Sequence, residues 1–171
     1  MERPRKCGVG IAMLFLVLFA GYGSGADAAE GKGGKAPDGN PVERGRYLSK
    51  IAGCHDCHTP GYLLSEGKVP ESLWLTGDRF GWRGPWGTTY AANLRLFFAS
   101  LTEDRWVAVA GSIRTRPPMP WFTLNEWQEE DLRALYRFVR HLGPAGPIAP
   151  AFVPPDREPD TPYALFPSPP K

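Results

Sequence analysis

Two cysteines and two histidines stand within five residues of this chain, as Cys54-His55-Asp56-Cys57-His58. No other segment limits the fold as much. Both thiols fall on one turn of backbone, and the histidine after them goes wherever that turn directs it. As a cross-link the pair would be weak, because so small a loop restrains the unfolded chain little. The cysteines therefore have a chemical purpose rather than a stapling one.

Residues 1–28 read as an export signal. Arg3, Arg5 and Lys6 supply a positive start, residues 11–20 are an apolar run, and Ala26-Asp27-Ala28 has the small-x-small form of a cleavage site. The apolar run is short for a bilayer span, so cleavage after Ala28 is the expected outcome, with an uncleaved anchor facing the periplasm as the alternative. Cleavage removes Met1, Cys7 and Met13. What remains is Cys54, Cys57, the single methionine Met119, and His55, His58 and His141. The expected location is the periplasm, where paired cysteines ordinarily become disulfides.

A C-x-x-C-H run is the attachment sequence for a c-type haem. Two thiols at this spacing can each bond one vinyl group, and His58 then lies under the macrocycle and meets the iron. Other uses of the pair fit less well. A thioredoxin-like redox pair belongs at a strand-to-helix junction, whereas here a helical pattern precedes the motif and loop follows. A zinc site wants four ligands, and only His141 is left to help. A plain disulfide gives His58 no task. For the second axial position the sequence offers Met119, set among Pro117, Pro118 and Pro120, whose locked φ values keep the loop out of a helix. Methionine is more often a core filler, but this one is alone and flanked by prolines. His141 is the rival ligand, although a histidine in the last turn of a helix more often meets the helix dipole in solvent. His55 reads as a surface residue.

The remaining pattern is helical. A length of 171 residues suits one domain. Residues 29–40 form a flexible lead-in rich in glycine and lysine. Pro41 opens a helix over 41–53 with Tyr47, Leu48 and Ile51 on one face. A second helix over 101–113 is capped by Thr102, with Glu103 and Asp104 in its first turn. A third, over 128–142, carries the stripe Leu132, Leu135, Tyr136 and Val139 and stops at Gly143-Pro144. Glycines and prolines punctuate residues 59–89, which read as loop wrapped around something functional. No strand alternation is visible. The expected fold is therefore all-α, orthogonal helices around one covalent haem, with the haem domain over 41–142 and a tail over 143–171. That tail holds 10 prolines in 29 residues, so it should be extended. It reads as surface cover or a docking strap with no part in haem binding. A formal charge of +2, with no basic block among aromatics, gives no support to a nucleic-acid role.

Several runs, in order, resemble the class I cytochrome c family. They are Gly45-Arg46-Tyr47-Leu48, the motif with Thr59-Pro60, and Gly84-Pro85-Trp86-Gly87-Thr88-Thr89-Tyr90-Ala91-Ala92-Asn93. Pro117-Pro118-Met119-Pro120-Trp121 and Asp131-Leu132-Arg133-Ala134-Leu135-Tyr136 complete them. The likeness covers residues 41–142 and is to the single-haem domains in cytochrome subunits of bacterial membrane alcohol and aldehyde dehydrogenases. Where those subunits carry several attachment motifs this chain carries one, so it has no relay between haems of its own. The resemblance implies that the first and last helices cross, with Gly45 against Leu135 and Tyr136. It implies that a carbonyl near Pro60 and Gly61 accepts from the second nitrogen of His58. It also implies that Trp86, Tyr90 and Asn93 lie near the haem propionates, although loop packing and Asx turns account for them nearly as well.

An iron with both axial positions filled binds no substrate and only changes oxidation state. The expected function is thus single-electron transfer without catalysis, between redox partners such as a periplasmic or membrane dehydrogenase and an oxidase or quinol-oxidising complex. Membrane association would come only through a partner or a retained signal. The alternatives are a haem sensor or peroxidase-like enzyme in which Met119 leaves the iron, and an electron-transfer subunit of a dehydrogenase complex.

Overall fold

Asn40 and Pro41 start a helix where the sequence predicts one. The computed structural model describes residues 39–167, and in it α1 covers Pro41–Ile51, with the Asn40 side chain accepting from the Val42 amide. The signal expected over residues 1–28 lies outside the described residues, as does the lead-in apart from Gly39 and Asn40. Among the described residues no helix is long and apolar enough to cross a membrane. The attachment motif itself is α2, Cys54–His58. A loop with one 3-10 turn at Glu71–Leu73 leads to the strands β1 (Gly81–Gly84) and β2 (Gly87–Tyr90). Then come α3 (Leu94–Ala99), α4 (Glu103–Ala110), α5 (Trp121–Asn125), α6 (Glu129–Leu142) and a last strand, β3 (Tyr163–Leu165).

The core forms where α1, α3 and α4 meet α6. Leu132, Leu135, Phe138 and Val139 of α6 pack with Trp74, Leu75, Phe98, Trp106 and Ala110. Each large side chain so buried contributes about 1.5–3 kcal/mol. α1 reaches α6 by way of Gly45, where a Cβ would overlap the Ala134 carbonyl and stand 2.6 Å from Phe138 Cβ. Beside that crossing, Arg44 forks onto Asp131 with bonds of 2.9 and 3.0 Å. Gly45, Leu48 and Ser49 are the buried residues of α1, whereas Tyr47 and Ile51 are 45% and 61% exposed. The inward face is therefore set by the smallness that close approach demands and not by the two large apolar residues. The helix expected over 101–113 is the shorter α4. Thr102 caps it as predicted by accepting from the Arg105 amide, and the Trp106 indole donates to the Leu132 carbonyl at 2.8 Å.

The all-α expectation is overturned by a three-stranded mixed sheet, ordered β2-β1-β3, which makes the fold mixed α/β. β1 pairs antiparallel with β2 through a two-residue turn at Pro85 and Trp86, and parallel with β3. Its strands escape sequence reading for a physical reason. Each has three or four residues, Gly81, Gly84 and Gly87 interrupt the pattern, and β3 comes from the proline-rich tail. A Cβ on Gly81 would stand 2.6 Å from Thr88 Cγ2, so these glycines let the sheet close. The tail is extended as expected, but it belongs to the same compact unit as the helices.

The α1–α6 crossing generates a sharp test. Gly45→Ala should lower the unfolding free energy by about 3 kcal/mol, through overpacking against main chain that cannot move aside. Gly111→Ala, where a Cβ would stand 3.6 Å from the Val107 carbonyl, should be neutral or slightly stabilising. Urea titration of both variants checks the pair.

Candidate functional site

The attachment motif is set by a hard turn. Gly53, at φ +67°, separates α1 from α2 in a left-handed conformation that suits glycine. The turn is then locked from inside by His55, which is fully buried and not at the surface as its position suggests. Its two ring nitrogens meet Ser49 Oγ at 3.0 Å and Thr59 Oγ1 at 2.9 Å. The donors and acceptors along this relay follow from their outer partners. Ser49 donates to the Arg46 carbonyl, so it accepts from His55 Nε2–H. Thr59 accepts from the Leu75 amide and donates to the bare Nδ1. The imidazole lies between Tyr62, 4.8 Å away and stacked, and Trp74, 4.6 Å away and edge-on. Burial, with smaller contributions from Lys50 and His58, lowers its pKa to about 4.

His58 is held from both ends. Its carbonyl accepts from the Gly77 amide at 2.9 Å, and its Nδ1 lies 2.7 Å from the Ala92 carbonyl. A carbonyl can only accept, so Nδ1 carries the proton and the neutral ring leaves the Nε2 lone pair bare. Burial lowers the His58 pKa, against an opposing pull from Ala92. The acceptor is Ala92 and not the Pro60–Gly61 turn that the family likeness implies. Thr59 leaves α2 in extended conformation, and the next turn uses its own carbonyls. Thr59 O accepts from Tyr62 and Gly61 O from Ser65. The Ala92 segment is fixed on its other side. Asp78 donates to the Ala91 carbonyl, and a Cβ on Gly77 would stand 2.7 Å from the Asn93 nitrogen.

Cys54 and Cys57 are free thiols, both half-buried, and Cys54 packs against the core. Burial pushes the Cys54 thiol up to about 11, and burial followed by Asp56 and Asp78 also raises Cys57. Redox pairs and zinc sites use thiolates, a form that burial of these two groups disfavours. α1 stands where a thioredoxin-like pair needs a strand. Among the described residues, no group of three or more His, Cys, Asp or Glu side chains could hold a metal ion.

The other predicted residues are distributed around the sheet. Met119 is half-buried in a loop whose Pro117 carbonyl accepts from Thr89 Oγ1 at 2.6 Å. Trp86 covers Gly84 and lies 5.4 Å from Phe166, with its indole N–H buried and without a protein partner. The Tyr90 hydroxyl meets Thr161 at 2.8 Å. Asn93 caps α3 through Oδ1, while its amide donates to the Ala145 and Pro147 carbonyls. The Tyr90 hydroxyl and the Asn93 amide nitrogen are thus directed to the tail. His141 is exposed at the end of α6. Sequence reasoning missed the Ala92 carbonyl, for which no residue type gives a signal, and the Ser49–Thr59 clamp, for which Thr59 directly after the motif is the only hint.

Comparison with protein-family models, curated proteins and solved structures finds no match.

The His55 clamp predicts a pH dependence of stability. Between 6.5, the ordinary histidine value, and about 4, the unfolded chain takes up a proton on His55 that the folded chain refuses. Unfolding free energy therefore falls as pH drops through this window, and this group adds no slope above it. The total effect is on the order of 2 to 3 kcal/mol. His55→Asn, which cannot titrate, should flatten that slope in urea titrations across the window.

Proposed function

We propose that this chain is a single-haem electron carrier of the class I cytochrome c kind, with Cys54 and Cys57 holding the haem by thioether bonds and His58 Nε2 ligating the iron. The observation that carries the reading is the 2.7 Å bond from His58 Nδ1 to the Ala92 carbonyl. It fixes the ring plane, selects the tautomer with a free Nε2, and raises the basicity of the ligating nitrogen. Two neutral thiols on one turn and a buried, unpartnered Trp86 donor fit the same group. When bound, the haem supplies a one-electron iron couple.

In this reading Met119 would be the second residue to hold the iron and would leave no position for small molecules. A soft thioether favours ferrous iron and raises the potential. Ser49 is no competing nucleophile, because it is fully buried and its proton is committed to the Arg46 carbonyl. The chain's own residues therefore bind, orient and exclude, and none performs catalysis. Export to the periplasm and exchange of electrons with a dehydrogenase and an oxidase or quinol-oxidising complex belong to the same proposal.

Two experiments test it. Protein exported by a host that matures c-type haems should keep its haem through acid-acetone extraction, and the double variant Cys54→Ala, Cys57→Ala should lose it. Haem that extracts freely from the native chain would sink the attachment reading. Met119→Ala should remove the far-red sulfur-to-iron band of the oxidised protein, lower the potential, and open the reduced iron to carbon monoxide. The same changes in His141→Ala, with Met119→Ala silent, would assign the ligand to His141.

A further inference from the structure

We propose that residues 152–166 are a strap that holds the loop carrying Met119 and thereby sets how readily its thioether leaves the iron. The second part rests on the reading of Met119 as an axial ligand. The strap encloses the β1–β2 hairpin on both edges. Val153 exchanges two hydrogen bonds with Thr88, at 2.7 and 3.0 Å, on the β2 edge, while β3 pairs with the β1 edge and Phe166 donates to the Arg83 carbonyl. The crossing between these edges is filled by Arg83, which donates to the Pro155 and Arg157 carbonyls and pairs with Glu158 at 3.3 Å.

Beyond the Trp121 amide, which donates to the Met119 carbonyl, and the Arg114–Trp121 contact, the methionine loop supplies little of its own and leans on this assembly. Pro117, Pro118 and Pro120 have no amide proton to donate. Thr89, next to the strapped Thr88, holds the Pro117 carbonyl. The Arg116 guanidinium lies 4.0 Å from the centre of the Phe152 ring, and among the described residues no carboxylate pairs with it. Gly87 makes room for this contact, since a Cβ there would stand 2.8 Å from the Phe152 ring and 2.5 Å from the Val153 carbonyl. Phe152 is thus a positioning residue, acting on Met119 through Arg116. The tail that the sequence assigns to partner docking or surface cover, with no part in haem binding, is tied into the loop that carries Met119.

The test uses the haem-loaded protein with Phe152→Ala and Phe152→Tyr, read by hydrogen exchange and by carbon monoxide binding to the reduced form. Phe152→Ala should raise exchange at the Trp121 amide, which donates to the Met119 carbonyl, about tenfold, the factor that a cation–π contact of about 1.4 kcal/mol provides. Carbon monoxide binding should accelerate by a similar factor, with the haem still covalent and α6 exchange unchanged. Phe152→Tyr, which keeps a ring, should match the native chain. Unchanged loop exchange in Phe152→Ala overturns the strap, and so does a rise spread equally over α6, which would mark Phe152 as a general stabiliser. Faster loop exchange with unaltered carbon monoxide binding overturns its control of the ligand. If Met119→Ala leaves carbon monoxide binding as in the native chain, the ligand assignment fails instead, and loop exchange still decides whether the strap holds.

Discussion

The buried imidazole of His55 is the constraint on which the site depends. It sits at full burial among Tyr62, Trp74 and Ser49, where an unpartnered ring nitrogen would cost about 1–3 kcal/mol. Both nitrogens are satisfied, each by a hydroxyl whose remaining capacity is used by backbone: Ser49 on Arg46, Thr59 on Leu75. The relay joins α1, α2 and the segment at Leu75 without an ionised group. Because Thr59 is also the residue after His58, the clamp fixes where α2 stops. With both ends of the turn held, the next ring outward has little freedom.

That freedom is removed by main chain and not by side chains. Gly77 grips the His58 carbonyl and Ala92 the His58 ring, and the two segments are joined by the Asp78–Ala91 hydrogen bond and by Leu94 and Arg95 donating to the Leu75 carbonyl. Arg95, itself buried, donates to the carbonyls of Leu142, Gly143 and Ser72. It satisfies the end of α6 and anchors the segment that presents Ala92. The last helix of the core and the acceptor of the histidine proton are therefore parts of one hydrogen-bonded unit.

How much of this the sequence discloses depends on where each signal resides. Side-chain signals were legible: Pro41 opens the helix it was expected to open, Thr102 caps the one it was expected to cap, and the stripe of Leu132, Leu135 and Val139 faces the core. The motif is visible from residue types alone because their spacing defines it. The sheet was not legible, since four-residue strands bounded by glycine have no alternation to detect and the third strand comes from 73 residues beyond β2. His55 was misplaced for a related reason. Its burial follows from Ser49, Thr59 and Trp74 closing over it, a tertiary effect that local polarity cannot convey. The Ala92 acceptor is a backbone carbonyl, and every residue has one.

The two expected iron ligands come from regions held together by different forces. His58 follows from the helical core, where Trp74, Phe98, Trp106 and Phe138 are packed against α6. Met119 belongs to the hairpin, loop and strap, where contacts are hydrogen bonds, the Arg116–Phe152 pair and the ring contacts of Trp82 and Trp86 with Phe166. None of those four aromatic rings joins the buried cluster on α6. Trp86 Nε1 and Thr115 Oγ1 are buried there without protein partners, a local cost that the core does not carry. Regions with few buried apolar contacts open at lower free energy than the core. The sulfur side is thus the side that opens first, while the histidine side remains closed by the His55 clamp and the Ala92 bond. Local fluctuations that reach the Met119 loop therefore leave the His58 segment in place.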